Sequence, residues 1–329
     1  MKVAVTGATG FVGTNLVDLL VRSGHDVIAI DKAPTPDLDA RPEVTSVVAD
    51  VLDQDAMRKA FDGIDVVYHL VAVITLAQRN DLAWRINTEG VRVVAQAALD
   101  SGVSRMVHCS SIHSFDQHAQ CDQLDERSLR SVAPDLPVYD RSKYAGEQEL
   151  QKTIERGLDA VICNPTAVFG PTDTVPMSRV NSILREAARG RLPAFIRGGF
   201  DFVDVRDVAE GLVAAADNGR TGENYLLGGQ YHQLVDIART TARLCGRRGP
   251  VLTLPLSALA AVVPVVEPIS AAFGSDLLTR ASLATVTASP RVDRSKAVDE
   301  LGYSPRPTDD TVRDLASHFV TAGHLTRAR

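Results

Sequence analysis

The chain is poor in cysteine: Cys109, Cys121, Cys163 and Cys245 are the four in 329 residues, and they show no short paired spacing. That excludes a disulfide framework and predicts free thiols in a reducing cytoplasm. Blocks of positive charge are missing too. Lys and Arg number 35 against 41 Asp and Glu, a formal charge of -6, and no long basic run stands out, which argues against a nucleic-acid partner and for a small-molecule substrate. An uninterrupted apolar span is also absent. Val251 to Phe273 is almost wholly apolar but is broken by Pro255, Pro264, Glu267 and Pro268, so stable membrane insertion is not expected. A buried or lid-like segment is the preferred reading, with an apolar flap lying on a bilayer as the alternative. The start, one lysine and then a short apolar strand that reaches glycine at once, has the form of neither a signal peptide nor a membrane anchor.

What is present is alternation. Short apolar runs at Lys2 to Thr6, Asp26 to Ile30, Thr45 to Ala49, Asp65 to Leu70, Arg105 to Ser110 and Ala160 to Asn164 are separated by helical stretches such as Phe11 to Ser23, Asp53 to Phe61 and Leu82 to Ser101. Continuous apolar strands joined by helices predict an α/β protein with a doubly wound parallel sheet covered on both faces. After about Pro171 the alternation weakens and Pro and Gly become frequent. The expected organisation is a nucleotide-binding domain over 1–170, joined by a returning strand near 200–228, with 171–329 mostly a smaller, interleaved substrate lobe.

Gly7, Gly10 and Gly13 lie between the first strand and the first helix. Glycines there allow a tight turn and close approach of backbone N–H groups to a pyrophosphate at a helix N-terminus. The three-and-three spacing differs from the common two-and-three fingerprint. Asp31, eighteen residues after Gly13 at the end of the second strand, offers a carboxylate to an adenosine ribose and repels a 2'-phosphate, which favours NAD; Lys32 beside it leaves NADP open.

Tyr139 and Lys143 are four residues apart, about one helical turn, so phenol and ammonium share a face. A phenol beside a cation ionises below its reference pKa of about 10, as near-neutral proton transfer requires. Ser110 and Ser111 end the fifth strand, and adjacent strand residues point to opposite faces, so only one of them faces the crevice. His113, His118, Cys121 and Asp122 form a polar cluster in the following loop, but their spacing matches no compact zinc pattern. No metal is expected.

With these motifs in order, together with Asp50-Val51, His69-Leu-Val-Ala72, Asn87 in Ile-Asn-Thr-Glu-Gly and Asn164-Pro165-Thr-Ala-Val-Phe-Gly-Pro171, the chain resembles the extended short-chain dehydrogenase/reductase family over nearly its whole length. The resemblance implies a Rossmann-type fold and an NAD(P)-dependent oxidoreductase. In that family's scheme Ser111 binds the substrate oxygen, Tyr139 exchanges the proton, and Lys143 lowers the Tyr pKa and holds the nicotinamide ribose. It implies cofactor contacts at Gly7, Thr9, Gly10, Phe11, Val12, Gly13, Asp31, Lys32, Asp50, Val51, Leu70, Val71, Ala72, Asn87, Ser110, Asn164 and Pro165. Ile112, His113, Val168 and Phe202 are the expected substrate contacts. Asp204-Val-Arg-Asp207 is similar to the stretch at the family's substrate entrance, although Asp207 would equally cap a helix. Relatives often pair as homodimers through two helices, and Val91, Val94, Ala95 and Ala98 form an apolar row for that, or for the core.

Nucleotide-sugar branches of the family carry arginines for the diphosphate, whereas Phe200 precedes Asp201 here and only Ser289-Pro-Arg-Val precedes Asp293. A diphosphate without cations binds poorly in a buried cleft. The pattern is closer to bacterial proteins similar to dihydroflavonol-4-reductase and 3β-hydroxysteroid dehydrogenase, which implies a moderately hydrophobic ketone or alcohol. Sugar epimerisation or dehydration with retained NAD is the alternative, and a non-catalytic NAD(P) sensor a second.

Overall fold

A computed structural model of the chain describes residues 1–34, 38, 40–117, 123–173, 177–192, 194–254, 289–323 and 325. The lid read into the sequence beyond Leu254, and His118, Cys121 and Asp122 of the polar cluster, lie outside the described residues. The strands are β1 Lys2–Thr6, β2 Asp26–Asp31, β3 Val44–Val48, β4 Val66–His69, β5 Arg105–Cys109, β6 Gln123–Leu124, β7 Ala160–Pro165, β8 Ala167–Phe169, β9 Ala194–Ile196, β10 Gly199–Asp204, β11 Asn224–Leu227, β12 Gln230–Gln233, β13 Leu252–Leu254 and β14 Arg291–Val292. The helices are α1 Phe11–Arg22, α2 Gln54–Ala60, α3 Asp81–Arg85, α4 Val91–Asp100, α5 Val138–Ile154, α6 Arg179–Ala188, α7 Val205–Asn218, α8 Leu234–Leu244, α9 Ser295–Leu301 and α10 Thr308–Thr321, with a π-helical turn at Ile86–Gly90 between α3 and α4.

Seven strands form one parallel sheet in the order β3–β2–β1–β4–β5–β7–β11. The chain starts in the middle at β1, runs out to β3, and returns to build the other half from β4. The reversal between β1 and β4 opens a crevice at the carboxyl ends of the strands, where open α/β sheets bind ligands. Alternate residues of β1 feed two cores. Val3 and Val5 pack with Leu16, Val17 and Leu20 of α1 and Val208 and Leu212 of α7. Ala4 packs on the other face with Met57 of α2, Val94 of α4 and Leu150 of α5. Two covered faces explain why the strands read as unbroken apolar runs.

The row Val91, Val94, Ala95 and Ala98 is at most 1% exposed in a single chain. It belongs to the core under α2 and α5, so the expectation of a dimer contact through these side chains is corrected: their apolar surface is already removed from water.

A third core joins Phe169, Phe202, Leu184 of α6, Ile237 of α8 and Leu315 and Phe319 of α10, beside the small sheet β12–β10–β8. Charged pins hold it to α7. Asp204, not Asp207, caps α7, accepting from Arg206 N at 2.8 Å. Asp207 sits in the first turn and accepts from Arg306 Nε at 2.7 Å.

Candidate active site

The glycine turn is as tight as its residues allow. Gly7 has φ +74°, a region that only glycine enters without strain, and its N–H donates to Ile30 O at 2.9 Å. A Cβ on Gly13 would lie 2.1 Å from Gly7 O, so neither glycine tolerates a side chain. Gly10 stands at the cap position of α1 with no capping side chain, and the first turn of the helix holds no acid. The helix therefore presents unpartnered N–H groups and a positive dipole end to the crevice. Asp31 leans back on the turn: Thr9 Oγ1 donates to Asp31 Oδ2 at 2.5 Å and Thr9 N at 3.2 Å, while Lys32 N donates to Oδ1 at 2.7 Å. Leu70, Val71 and Ala72 follow β4 half-buried, with Val71 against Gly7. An anion at an uncapped helix start, with a carboxylate at the end of β2, matches the charge pattern of a dinucleotide. Asp50 is exposed beyond β3, while Val51 turns into the core at 5% exposure.

Tyr139 and Lys143 project from α5 beneath the end of β5, and Ser111 caps the short 3₁₀ turn Ile112–Ser114. The Ser111 hydroxyl accepts from His113 N at 3.2 Å and neighbours the Tyr139 side chain. Lys143 Nζ donates to Cys109 O at 3.0 Å. All three residues are buried, at 7%, 7% and 2% exposure for Ser111, Tyr139 and Lys143. The sequence leads one to expect an acidified phenol, but burial pushes Tyr139 above its ordinary value, outweighing the lowering effect of the neighbouring Ser111 hydroxyl. Burial likewise pushes Lys143 down, opposed by Cys109 and Glu147. The cation is aimed at a backbone carbonyl, and the resting phenol is a proton donor.

Ser110 turns the other way, and its hydroxyl donates to Glu147 Oε1 at 2.5 Å. Of the two serines, Ser110 is thus engaged with α5, while Ser111 caps the turn beside Tyr139. The Asn87 and Asn164 side chains are engaged in the same way. Asn87 accepts from Val73 N at 2.8 Å and donates to Val73 O at 3.1 Å and Ser142 Oγ at 2.9 Å. Asn164, fully buried, donates to Ser111 O, Ser114 Oγ and Glu147 Oε1 and accepts from Asn224 Nδ2. Both amides brace the walls of the crevice. Pro165 ends β7, buried beside Leu227 of β11.

Among the expected substrate contacts, His113 borders the crevice, its Nδ1 3.0 Å from Asp140 Oδ1 and its ring edge-on to Tyr139 with centroids 5.4 Å apart. Val168 is half-buried on β8. Phe202 is 1% exposed between Phe169 and Phe200, and Ile112 packs with Phe115, Leu124 and Leu226. These two are core residues, because their strand and turn positions point inward.

Sequence reading missed Glu147, which follows Lys143 by one more helical turn, the same spacing signal extended. Its buried carboxylate receives Ser110 Oγ, Asn164 Nδ2, Arg130 Nη1 at 3.0 Å and Asn224 Nδ2 at 3.1 Å. Four donors satisfy the oxygens of this buried carboxylate. Arg130 in turn stacks over Phe115, its Cζ 3.8 Å from the ring centroid. His69 and His108, side by side on β4 and β5, are also buried, with ring centroids 5.4 Å apart. Burial first, then the charge of Lys143, pushes His69 down to about 3 and His108 well below its usual range. Both stay neutral under the lysine.

Residues 3–228 match the model of the NAD dependent epimerase/dehydratase family. The chain is 31% identical to sterol demethylase protein B of Methylococcus capsulatus, over 99% of this chain and 100% of that one. It is 27% identical to a 3-beta-hydroxysteroid dehydrogenase of Mycolicibacterium neoaurum, over 76% and 71%. Among solved structures, gox2253 superposes with a TM-score of 0.85 at 32% identity, covering 99% of both chains. A nucleoside-diphosphate-sugar epimerase from Pseudomonas aeruginosa shares the fold with a TM-score of 0.82 at 24% identity, again over 99% of both.

Proposed function

The chain belongs to the NAD dependent epimerase/dehydratase family and is an NAD-dependent enzyme, and from that premise we propose that it passes a hydride between nicotinamide and a carbonyl or secondary alcohol of a moderately hydrophobic small molecule. The observation that carries the reading is the burial of Tyr139 and Lys143 one turn apart on α5, with Lys143 Nζ bonded to Cys109 O at the end of β5 and Ser111 two residues further on. Bound NAD supplies the hydride donor or acceptor. Ser111 orients the substrate oxygen with its hydroxyl. Tyr139 gives that oxygen a proton as negative charge builds on it, or takes one in the reverse direction. Burial keeps the phenol protonated, the form that ketone reduction draws on. Lys143 places its positive charge at the floor of the site, where it stabilises the phenolate left after transfer.

The hydrophobic substrate class is supported by the lack of an arginine before Asp201, where Phe200 packs edge-on to Phe202, and by the sterol and hydroxysteroid names of the two relatives. A panel of ketones, secondary alcohols and UDP-sugars, read by net oxidation or reduction of the nicotinamide, tests the reading. Turnover of apolar ketones is the expected result. Conversion of UDP-sugars alone, without net redox change, overturns it in favour of an epimerase. Binding of NAD with no turnover of any member would favour a sensor, which the intact Ser111, Tyr139 and Lys143 set argues against.

A further inference from the structure

The lobe carries a concentration of charge that the catalytic reading does not use. Segments 179–197 and 234–252 hold nine arginines, at 179, 185, 189, 191, 197, 239, 243, 247 and 248, and two carboxylates, Glu186 and Asp236. Nine minus two is +7 in a chain of -6, which leaves -13 on the remainder. The fold brings the two segments together. α6 and α8 share the core of Leu184, Ala187, Ala188, Ile237 and Ala238, Ala194 of β9 pairs in parallel with Leu252 of β13, and Arg247 lies against Gly190.

Glu186 pairs with Arg185, Arg189 and Arg191 at 3.5, 2.8 and 3.5 Å. Arg197, Arg243, Arg247 and Arg248 are exposed and join no salt bridge among the described residues. Between them stand large apolar side chains in water: Leu244 at 48%, Val251 at 75% and Leu252 at 60% exposure.

We propose that this corner of the lobe docks the protein reversibly on the surface of an anionic bilayer. Guanidinium forks match lipid phosphates in geometry and charge, and each basic side chain near such a surface strengthens binding about fivefold. The interleaved Leu244, Val251 and Leu252 give the interface what a free polyanion cannot use, apolar surface that leaves water at the headgroup boundary. A single-stranded nucleic-acid groove would instead offer exposed aromatic faces, and the large exposed apolar residues of this corner are aliphatic. The remaining charge, net negative, turns the rest of the molecule away from the same surface and so orients it.

The test uses the full chain, without cofactor or substrate, sedimented with vesicles of phosphatidylcholine or of phosphatidylcholine mixed with phosphatidylglycerol. Pelleting with the mixed vesicles only, lost at high salt as screening sets in, is expected. The triple variant R243E/R247E/R248E is expected to weaken partitioning at least a hundredfold, and V251S/L252S about tenfold, both with the thermal midpoint unchanged. Absence of pelleting, equal pelleting with neutral vesicles, or indifference to either variant overturns the proposal. So does duplex or single-stranded nucleic acid that strips the protein from vesicles at the same salt. Since no step of the assay needs turnover, its failure and that of the catalytic reading are separate results.

Discussion

The crevice and the lobe corner handle positive charge in opposite ways. Arg130 is held by Glu147, Ser114 and Asn224 under the active site, and Lys143 by a carbonyl; each is fixed by neighbours that would be left unsatisfied without it. Arg243, Arg247 and Arg248 stand in solvent, replaceable one at a time and effective only together. A buried charge acts through geometry, because desolvation makes every missing partner expensive. Exposed charges act as a field, because water and salt screen each pair.

The comparison is broken most sharply at the phenol. Tyr139→Phe keeps the ring and removes the donor, and kcat/KM for ketone reduction is expected to fall by about 10²–10⁴-fold with an unchanged circular dichroism spectrum; retained turnover would end the catalytic assignment. Next, Glu147→Gln takes the counter-charge from the half-buried Arg130, whose other acceptors are Ser114 and Asn224, and denaturant unfolding is expected to show a loss of about 1.5–3 kcal/mol. His69 gives a pH test. Its pKa when folded is about 3, below the unfolded value near 6.5. The stabilisation from keeping it neutral is thus complete above pH 6.5 and drains away as pH falls toward about 3, because the unfolded chain binds the extra proton. His69→Asn should flatten the slope of unfolding free energy against pH in that window, an effect on the order of 1 kcal/mol per pH unit. Smallest of all, Arg243→Gln in the lobe corner should change stability by no more than about 0.5 kcal/mol. A loss there as large as that of Glu147→Gln would erase the distinction between the two regions.

The parts legible in the sequence are those set by neighbours along the chain. The glycine turn is a local demand of backbone conformation, and Tyr139 and Lys143 share a face because one helical turn separates them. The strand alternation follows from residues buried on both faces of a parallel sheet. What the sequence hides is long-range. Nothing beside Asn87 and Asn164 in the chain announces Val73, Ser142 and Asn224, which other elements bring to their amide groups. The charged neighbour of Tyr139 points to an acidic phenol, while its depth in the fold, which has no local signal, decides the sign. Phe202 sits in a strand of period two, and only the packing of Phe169 and Phe200 tells which side is in. The arginines at 179–197 and 234–252 are scattered, with only Arg247 and Arg248 adjacent, so no long basic run announces them until β9 and β13 lie side by side.

The π-helical turn at Ile86–Gly90 has a consequence for the helix beside it. A Cβ on Gly146 would come within 2.2 Å of Asn87 O, so the extra backbone atoms of the wide turn press directly on α5 between Lys143 and Leu150. That contact works as a set screw: α5 can neither slide along its axis nor roll without driving a carbonyl into its own backbone. The azimuth of Tyr139 and Lys143 is fixed from behind, by a feature that touches neither. Transplanting α5 onto another sheet would therefore carry the two reactive side chains but lose their aim, unless the five-residue turn travelled with it.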